Sequence, residues 1–213
     1  MKKEIMLIGI IVAVIVLVVR CFIYFRDKSE LVIIEDNNSS ENSSINNDSK
    51  VLIVYYSRTG NTEELAKIIS DKVNGDLFKI ETVKEYPSEY QEMTDVAQEE
   101  KNNNIRLEIK ETKSTEEYDT VFIGCPIWWG TCPMAMFTYI ESQDFTGKTI
   151  IPFTTSGGSG LGTVEDDIKE SSNAKNYLKG FTVSGSNVDN YSDSVTDWLE
   201  SIGFWQQLKK GVK

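Results

Sequence analysis

An α/β fold on a parallel five-stranded sheet is predicted by two observations: short apolar runs alternate with helix-period segments from Lys50 onward, and the runs are apolar on consecutive positions. Continuous apolar character marks a strand buried on both faces, which is the condition of a parallel sheet covered by helices. Val51 to Tyr56 is the first such strand, and Leu65, Ile68, Ile69 and Val73 then recur at helical spacing. Asp76 to Glu81 is the second strand, and residues 89 to 103, rich in Glu and Gln with Pro87 just ahead, form a helix. Thr120 to Cys125 is the third strand and Met134 to Glu141 a short helix. Thr149 to Thr154 is the fourth strand, followed by a glycine loop and a helix from about Val164. Phe181 to Ser184 and Ser192 to Ser201 supply the last strand and helix, giving five of each. Ile105 to Ile109 is a further short-strand candidate, and Pro152 is unusual inside a central strand because proline has no N–H to donate.

Composition narrows the function. The chain has 213 residues with 40% apolar and 26% charged side chains, ordinary values for a soluble domain with an appendage. A net charge of -11 repels nucleic-acid phosphates, so no nucleic-acid partner is expected. With no histidine, Ser-His-Asp and Cys-His catalysis and imidazole bases are excluded. Any chemistry must use other groups or a cofactor.

Three regions follow from the charge and apolar pattern: an N-terminal segment 1–28, a linker 29–50 and the domain 51–213. Met6 to Val19 is apolar apart from Gly9, and after Arg20 the run continues from Cys21 to Phe25. Twenty positions with the single interruption of Arg20, set on a helix, match the roughly 30 Å hydrocarbon layer, with Arg20 able to snorkel, so a single-pass anchor in the cell membrane is the preferred reading. The rival is a cleaved signal peptide, but no small-residue cleavage site follows Val19. Basic residues at both ends leave the orientation open. Residues 36–49 are Asp, Glu, Asn or Ser at all but one position, a flexible tether spanning about 20 Å, which slightly favours the extracytoplasmic side.

In an open parallel sheet, ligands sit beyond the carboxyl ends of the strands, and the loops there are the unusual ones. Ser57-Arg58-Thr59-Gly60-Asn61-Thr62 offers hydroxyls and helix-start amides to a phosphate, and Gly60 permits close approach. It lacks the lysine of a nucleoside-triphosphate loop, so a terminal monophosphate fits better; the alternative is that Asn61 or Thr62 merely caps the helix. Arg58 is expected to point to solvent. The second loop is Cys125-Pro126-Ile127-Trp128-Trp129-Gly130-Thr131-Cys132. Adjacent tryptophans point in different directions, so at least one faces a ligand or partner unless both cover the sheet end or an interface. Cys125 is expected as a buried strand-end residue, Cys132 near the site, and no disulfide is expected between them. The third loop, Thr154-Thr155-Ser156-Gly157-Gly158-Ser159-Gly160-Leu161-Gly162, offers hydroxyls and amides with little bulk, as a flexible connection also would.

In this order the three loops resemble the flavodoxin family over residues 51 to about 201. Ser57, Thr59, Gly60, Asn61 and Thr62 look like the loop holding the 5'-phosphate of FMN. Pro126, Ile127, Trp128, Trp129 and Gly130 look like the ring-packing loop of a subfamily with Trp-Trp-Gly, and Thr155, Ser156, Gly157 and Gly158 are similar to its third flavin-side loop. The resemblance implies a doubly wound sheet of order 2-1-3-4-5 with helices on both faces, non-covalent FMN, and Gly130 as the residue whose carbonyl would turn to N5 of the reduced ring. The function expected is a membrane-tethered carrier of electrons at low potential, exchanging them with a redox protein or a small-molecule donor or acceptor. An FMN-dependent NAD(P)H or quinone oxidoreductase and a cofactor-free interaction module on the same fold are the alternatives.

Overall fold

The structure, a computed structural model, describes residues 50–184 and 191–204. The anchor expected within residues 1–28 and nearly all of the linker lie outside the described residues, and among the described residues no helix is long and apolar enough to cross a membrane.

Strands β1 (Val51–Tyr55), β2 (Asp76–Lys79), β3 (Thr120–Pro126), β4 (Thr149–Ser156), β5 (Asn176–Tyr177) and β6 (Phe181–Ser184) alternate with helices α1 (Asn61–Val73), α2 (Tyr90–Asn102), α3 (Met134–Ser142), α4 (Val164–Ser171) and α5 (Ser192–Ser201). Every pairing is parallel, and the order is β2-β1-β3-β4-β5 with β6 also on β4. The predicted order and class therefore hold. β1 shows why the sheet needs cover on both sides: Leu52 and Val54 enter one core with Tyr139, Ile140 and Ile168, while Val51, Ile53 and Tyr55 enter the other with Leu65, Ile69 and Leu199. Helices α1 and α5 cover the second face, α3 and α4 the first, because their apolar stripes carry those residues.

Two sequence expectations need correction. The last strand position is divided, with β5 beside Thr149 and Ile150 and β6 beside Phe153 to Ser156. Pro152 explains the division. Ile150 accepts from Leu178 on the outer side and Thr155 accepts from Ile127 on the inner side, so by the alternation of a strand Pro152 faces outwards, where it has no N–H to give. The edge chain leaves the sheet there, and Gly180, which donates to Glu165 at 2.7 Å, fills the gap. Residues 105–109 form no strand; one antiparallel bridge joins Thr82 to Ile109.

Candidate functional site

The carboxyl ends of β1, β3 and β4 bring the three predicted loops to one rim. Thr62 Oγ1 lies 2.8 Å from Thr155 Oγ1, joining the first loop to the third. The amide of Ile127 donates to the Thr155 carbonyl at 2.9 Å, joining the second to the third. Tyr56, next to the first loop, meets the Trp128 ring edge-on with centroids 5.5 Å apart.

The first loop is shaped to receive an anion. Gly60 has φ +95° at the head of α1, a left-handed conformation that favours glycine, and no side chain caps this helix start. A Cβ on Gly60 would meet nothing within 4 Å, so the turn opens outwards. Ser57 Oγ is buried and has no hydrogen-bond partner, the one such side-chain atom among the described residues. An unpaired buried hydroxyl costs about 1–3 kcal/mol, so its presence beside free helix-start amides points to a ligand oxygen that completes it. Asn61 opens α1, Thr59 is exposed, and both stand at this mouth.

Arg58 does not point to solvent as expected. Its guanidinium donates to the carbonyls of Pro87 and Ser88 at 3.1 and 2.9 Å, strapping the phosphate-loop candidate to the chain entering α2. That chain starts its helix with Glu89, whose carboxylate accepts from the Glu92 amide at 2.8 Å. A cavity of about 430 Å³ lies between the two segments, lined by Ser57, Arg58, Thr59, Tyr86 and Pro87.

The second loop is held from every side. Trp128 and Thr131 exchange amide-to-carbonyl bonds of 2.9 and 3.1 Å across a tight turn, with Trp129 at φ +52° and Gly130 at φ +90°. Left-handed values at two successive residues define this turn type, which explains a glycine at 130. Trp129 is 46% exposed, yet its indole N–H donates to the Thr94 carbonyl at 2.9 Å and its own carbonyl accepts from Lys101 Nζ at 2.5 Å. Gly130 is bound as well: its carbonyl accepts from the Thr163 amide at 2.8 Å and hydroxyl at 3.2 Å. Gly162 permits this, since a Cβ there would stand 2.1 Å from that oxygen. Asp167 accepts from the hydroxyls of Thr131 and Thr163 and so steadies both partners. A second cavity of about 400 Å³, lined by Ile127, Trp128, Trp129, Tyr90, Met93 and Ala97, lies on the α2 side of the indoles.

Behind Trp128 stands Tyr86, edge-on at 5.1 Å, its hydroxyl donating to Glu100 at 2.6 Å. Burial pushes the Tyr86 and Glu100 groups up from their ordinary pKa values, and burial takes Tyr56 to about 12, so both phenols are neutral. The third loop is the open one: Cβ atoms at Gly157 and Gly160 would meet nothing within 4 Å, and Ser156 Oγ accepts from the Gly158 amide at 3.2 Å.

Cys125 is a buried strand-end residue as expected, but the expectation of no disulfide is overturned: Cys125 and Cys132 are bonded with Cα atoms 5.6 Å apart, and Cys132 is buried, not exposed beside the site. Their separation of seven in sequence gave no sign of this, because only the reversal of the chain between them brings the two Cβ atoms together. Lys101, Thr163 and Asp167 carry no sequence signal for the site, and the roles of Arg58 and Gly162 within their loops are equally invisible there; all act through contacts whose approach is tertiary.

The family model described as Flavodoxin matches residues 50–202. The chain belongs to the flavodoxin family. A structure described as a flavoprotein from Bacteroides eggerthii is similar at 33% identity and a TM-score of 0.64, covering 73% of this chain and 98% of that one. Another, from Bacteroides uniformis, is similar at 32% identity and a TM-score of 0.62, covering 71% and 98%. A flavoprotein of Lactobacillus acidophilus in complex with FMN shares the fold at 18% identity and a TM-score of 0.53, covering 70% and 98%. Comparison with curated proteins finds no match. In this flavodoxin-family domain the rim residues fit a phosphate monoester carrying a flat ring: an orphaned buried hydroxyl and an open glycine turn for the first, indoles and an unhindered glycine loop for the second.

Proposed function

We propose that this chain is an FMN-binding electron carrier working at low potential, held at a membrane by residues 6–25. The observation that carries the reading is the unpartnered, buried Ser57 Oγ at the uncapped start of α1, where a phosphate would complete the bonding. FMN, the cofactor that family membership brings and that the Lactobacillus acidophilus neighbour holds, supplies one- and two-electron redox chemistry when bound. The protein's part is to hold and to tune. Ser57, Thr59, Gly60, Asn61 and Thr62 take the phosphate; Trp128 and Trp129, with Pro126, Ile127 and Gly130, give one wall for the ring; Thr155, Ser156, Gly157 and Gly158 give the other.

Support for low potential comes from charge. From Val51 onward 16 basic against 26 acidic side chains leave -10, a field that disfavours placing negative charge on the ring. Lys101 on the Trp129 carbonyl opposes this locally. The Gly130 carbonyl, expected by resemblance to turn towards N5, must first leave two Thr163 donors. The partner is a redox protein or a small electron donor or acceptor. A buried disulfide persists in an oxidising compartment, which supports the extracytoplasmic side of the cell membrane for the domain.

Stepwise reduction of the purified full chain in detergent, followed by absorption, tests the reading. A yellow protein with two separated one-electron steps and no NAD(P)H turnover above that of free flavin is expected. A colourless protein that does not quench added FMN overturns it, and NAD(P)H turnover well above free flavin assigns the oxidoreductase alternative instead.

A further inference from the structure

The disulfide has a place that stability alone does not explain. Cys125 lies in the last turn of β3 and Cys132 stands one residue before the cap of α3, so the bond closes a ring whose crest is Trp128, Trp129 and Gly130. The two cysteines are 0% and 1% exposed, beneath the indoles and within the core shared by Ile123 and Met136. Above them the crest is tied by separate hydrogen bonds to Thr155, Thr94, Lys101 and Thr163, each individually weak. Those ties break and reform thermally; the base of the loop cannot open while the sulfurs are bonded. Once reduced, two thiols cannot remain at bonding distance, and the covalent tie between the end of β3 and the start of α3 is gone.

We propose that the Cys125–Cys132 bond is a redox clasp on the indole loop: closed, it holds the aromatic wall in its binding position, and opened by a dithiol reductant it loosens that wall and weakens the cofactor site. The inference rests on the FMN reading for its consequence, while the clasp itself is a property of the loop. In the opening step one thiolate of the reductant attacks a protein sulfur and forms a mixed disulfide; the reductant's second thiol closes its own disulfide. Two electrons and two protons pass to Cys125 and Cys132, which leave as thiols. Burial of both sulfurs requires the crest, whose hydrogen bonds can break while the base stays joined, to lift before attack, so anything that holds the crest down protects the bond. Linkage makes this reciprocal: the factor by which reduction weakens cofactor binding equals the factor by which bound cofactor favours the disulfide.

The test uses the full chain in detergent, oxidised or treated with dithiothreitol, with thiols counted so that Cys21 is distinguished from the pair. Reduction is expected to raise the Kd for FMN about tenfold, a fraction of what closing so short a ring can contribute. In a glutathione redox buffer, saturating FMN is expected to shift the thiol-to-disulfide ratio towards the disulfide by the same factor. A chain carrying both Cys125→Ala and Cys132→Ala should bind FMN as the reduced protein does at every redox poise; should that chain fail to fold, chemical reduction of the native chain decides. Hydrogen exchange at the amides of Ile127, Trp128 and Thr131, measured without cofactor, should quicken on reduction. An unchanged Kd together with unchanged exchange overturns the clasp. If the oxidised chain binds no FMN at all, the functional reading falls, and the exchange measurement alone decides the clasp.

Discussion

The turn from Ser57 to Thr62 leaves a buried hydroxyl unbonded and a helix start uncapped, whereas the loop from Pro126 to Thr131 has the amides of Ile127, Trp128 and Thr131, the carbonyls of residues 128 to 131 and one indole N–H bonded to the protein, and its base closed by a disulfide. In the proposed reading the two regions meet the same ligand in different ways. Unfilled polar valence marks where a ligand supplies hydrogen bonds, because burying such a group without a partner is unfavourable in the empty protein. A loop tied down by many bonds marks where a ligand gains contact area, because a wall that is already ordered loses little entropy on binding.

Changes that disturb the bonded loop should act on folding, and changes in the open turn should act on binding. The largest effect is expected for Gly162→Ala. Its φ of +57° and the Gly130 oxygen 2.1 Å from the new Cβ force the α4 entry away from the loop. A stability loss of about 2–4 kcal/mol should appear in denaturant unfolding. Ser57→Ala sharpens the contrast. It should weaken FMN binding about 10- to 100-fold, as loss of a bond to a charged oxygen implies, without lowering the stability of the cofactor-free protein. A Ser57→Ala protein that unfolds more easily while keeping its affinity would reverse the assignment of the two regions. Trp129→Ala comes next, with a loss of about 0.5–1.5 kcal/mol in FMN binding by fluorescence titration.

The smallest effect concerns Glu100, on the far side of the aromatic cluster. Burial raises its carboxyl pKa, the Tyr86 hydroxyl offsetting part of this. A raised acid favours folding below the ordinary carboxylate pKa, and that contribution is lost as pH rises through the folded value. Glu100→Gln keeps an acceptor for Tyr86 and removes the titration. Its Tm relative to the parent should therefore rise from acid to neutral pH; a constant difference would contradict the burial argument.

Much of this was legible in the sequence for a simple reason. Continuous apolar runs such as Val51 to Tyr55 locate buried parallel strands, and a parallel sheet places its ligand-facing loops at one rim, so the phosphate turn, the indoles and the glycine loop could be named before any fold was seen. What stayed hidden depends on tertiary approach. Asn176 and Tyr177 form a strand only because β4 offers an edge ahead of Pro152, and two residues carry no periodicity. Arg58 reaches carbonyls 29 and 30 residues away, and Cys125 finds Cys132 through a turn with two left-handed residues. Gly162 read as one of several glycines in a loop; its role appears only when the Gly130 carbonyl is placed above it.

The central claim is that the turn after β1 grips a phosphate while the indole loop meets a ring, and comparison of FMN with riboflavin, which has the same ring and no phosphate, tests it most directly. Titrating the oxidised full chain with each flavin should give strong quenching by FMN and binding of riboflavin weaker by about a hundredfold or more, since several bonds of about 1.5–3 kcal/mol to a charged oxygen are lost together. Equal affinity for the two flavins, or binding of neither, would contradict the account.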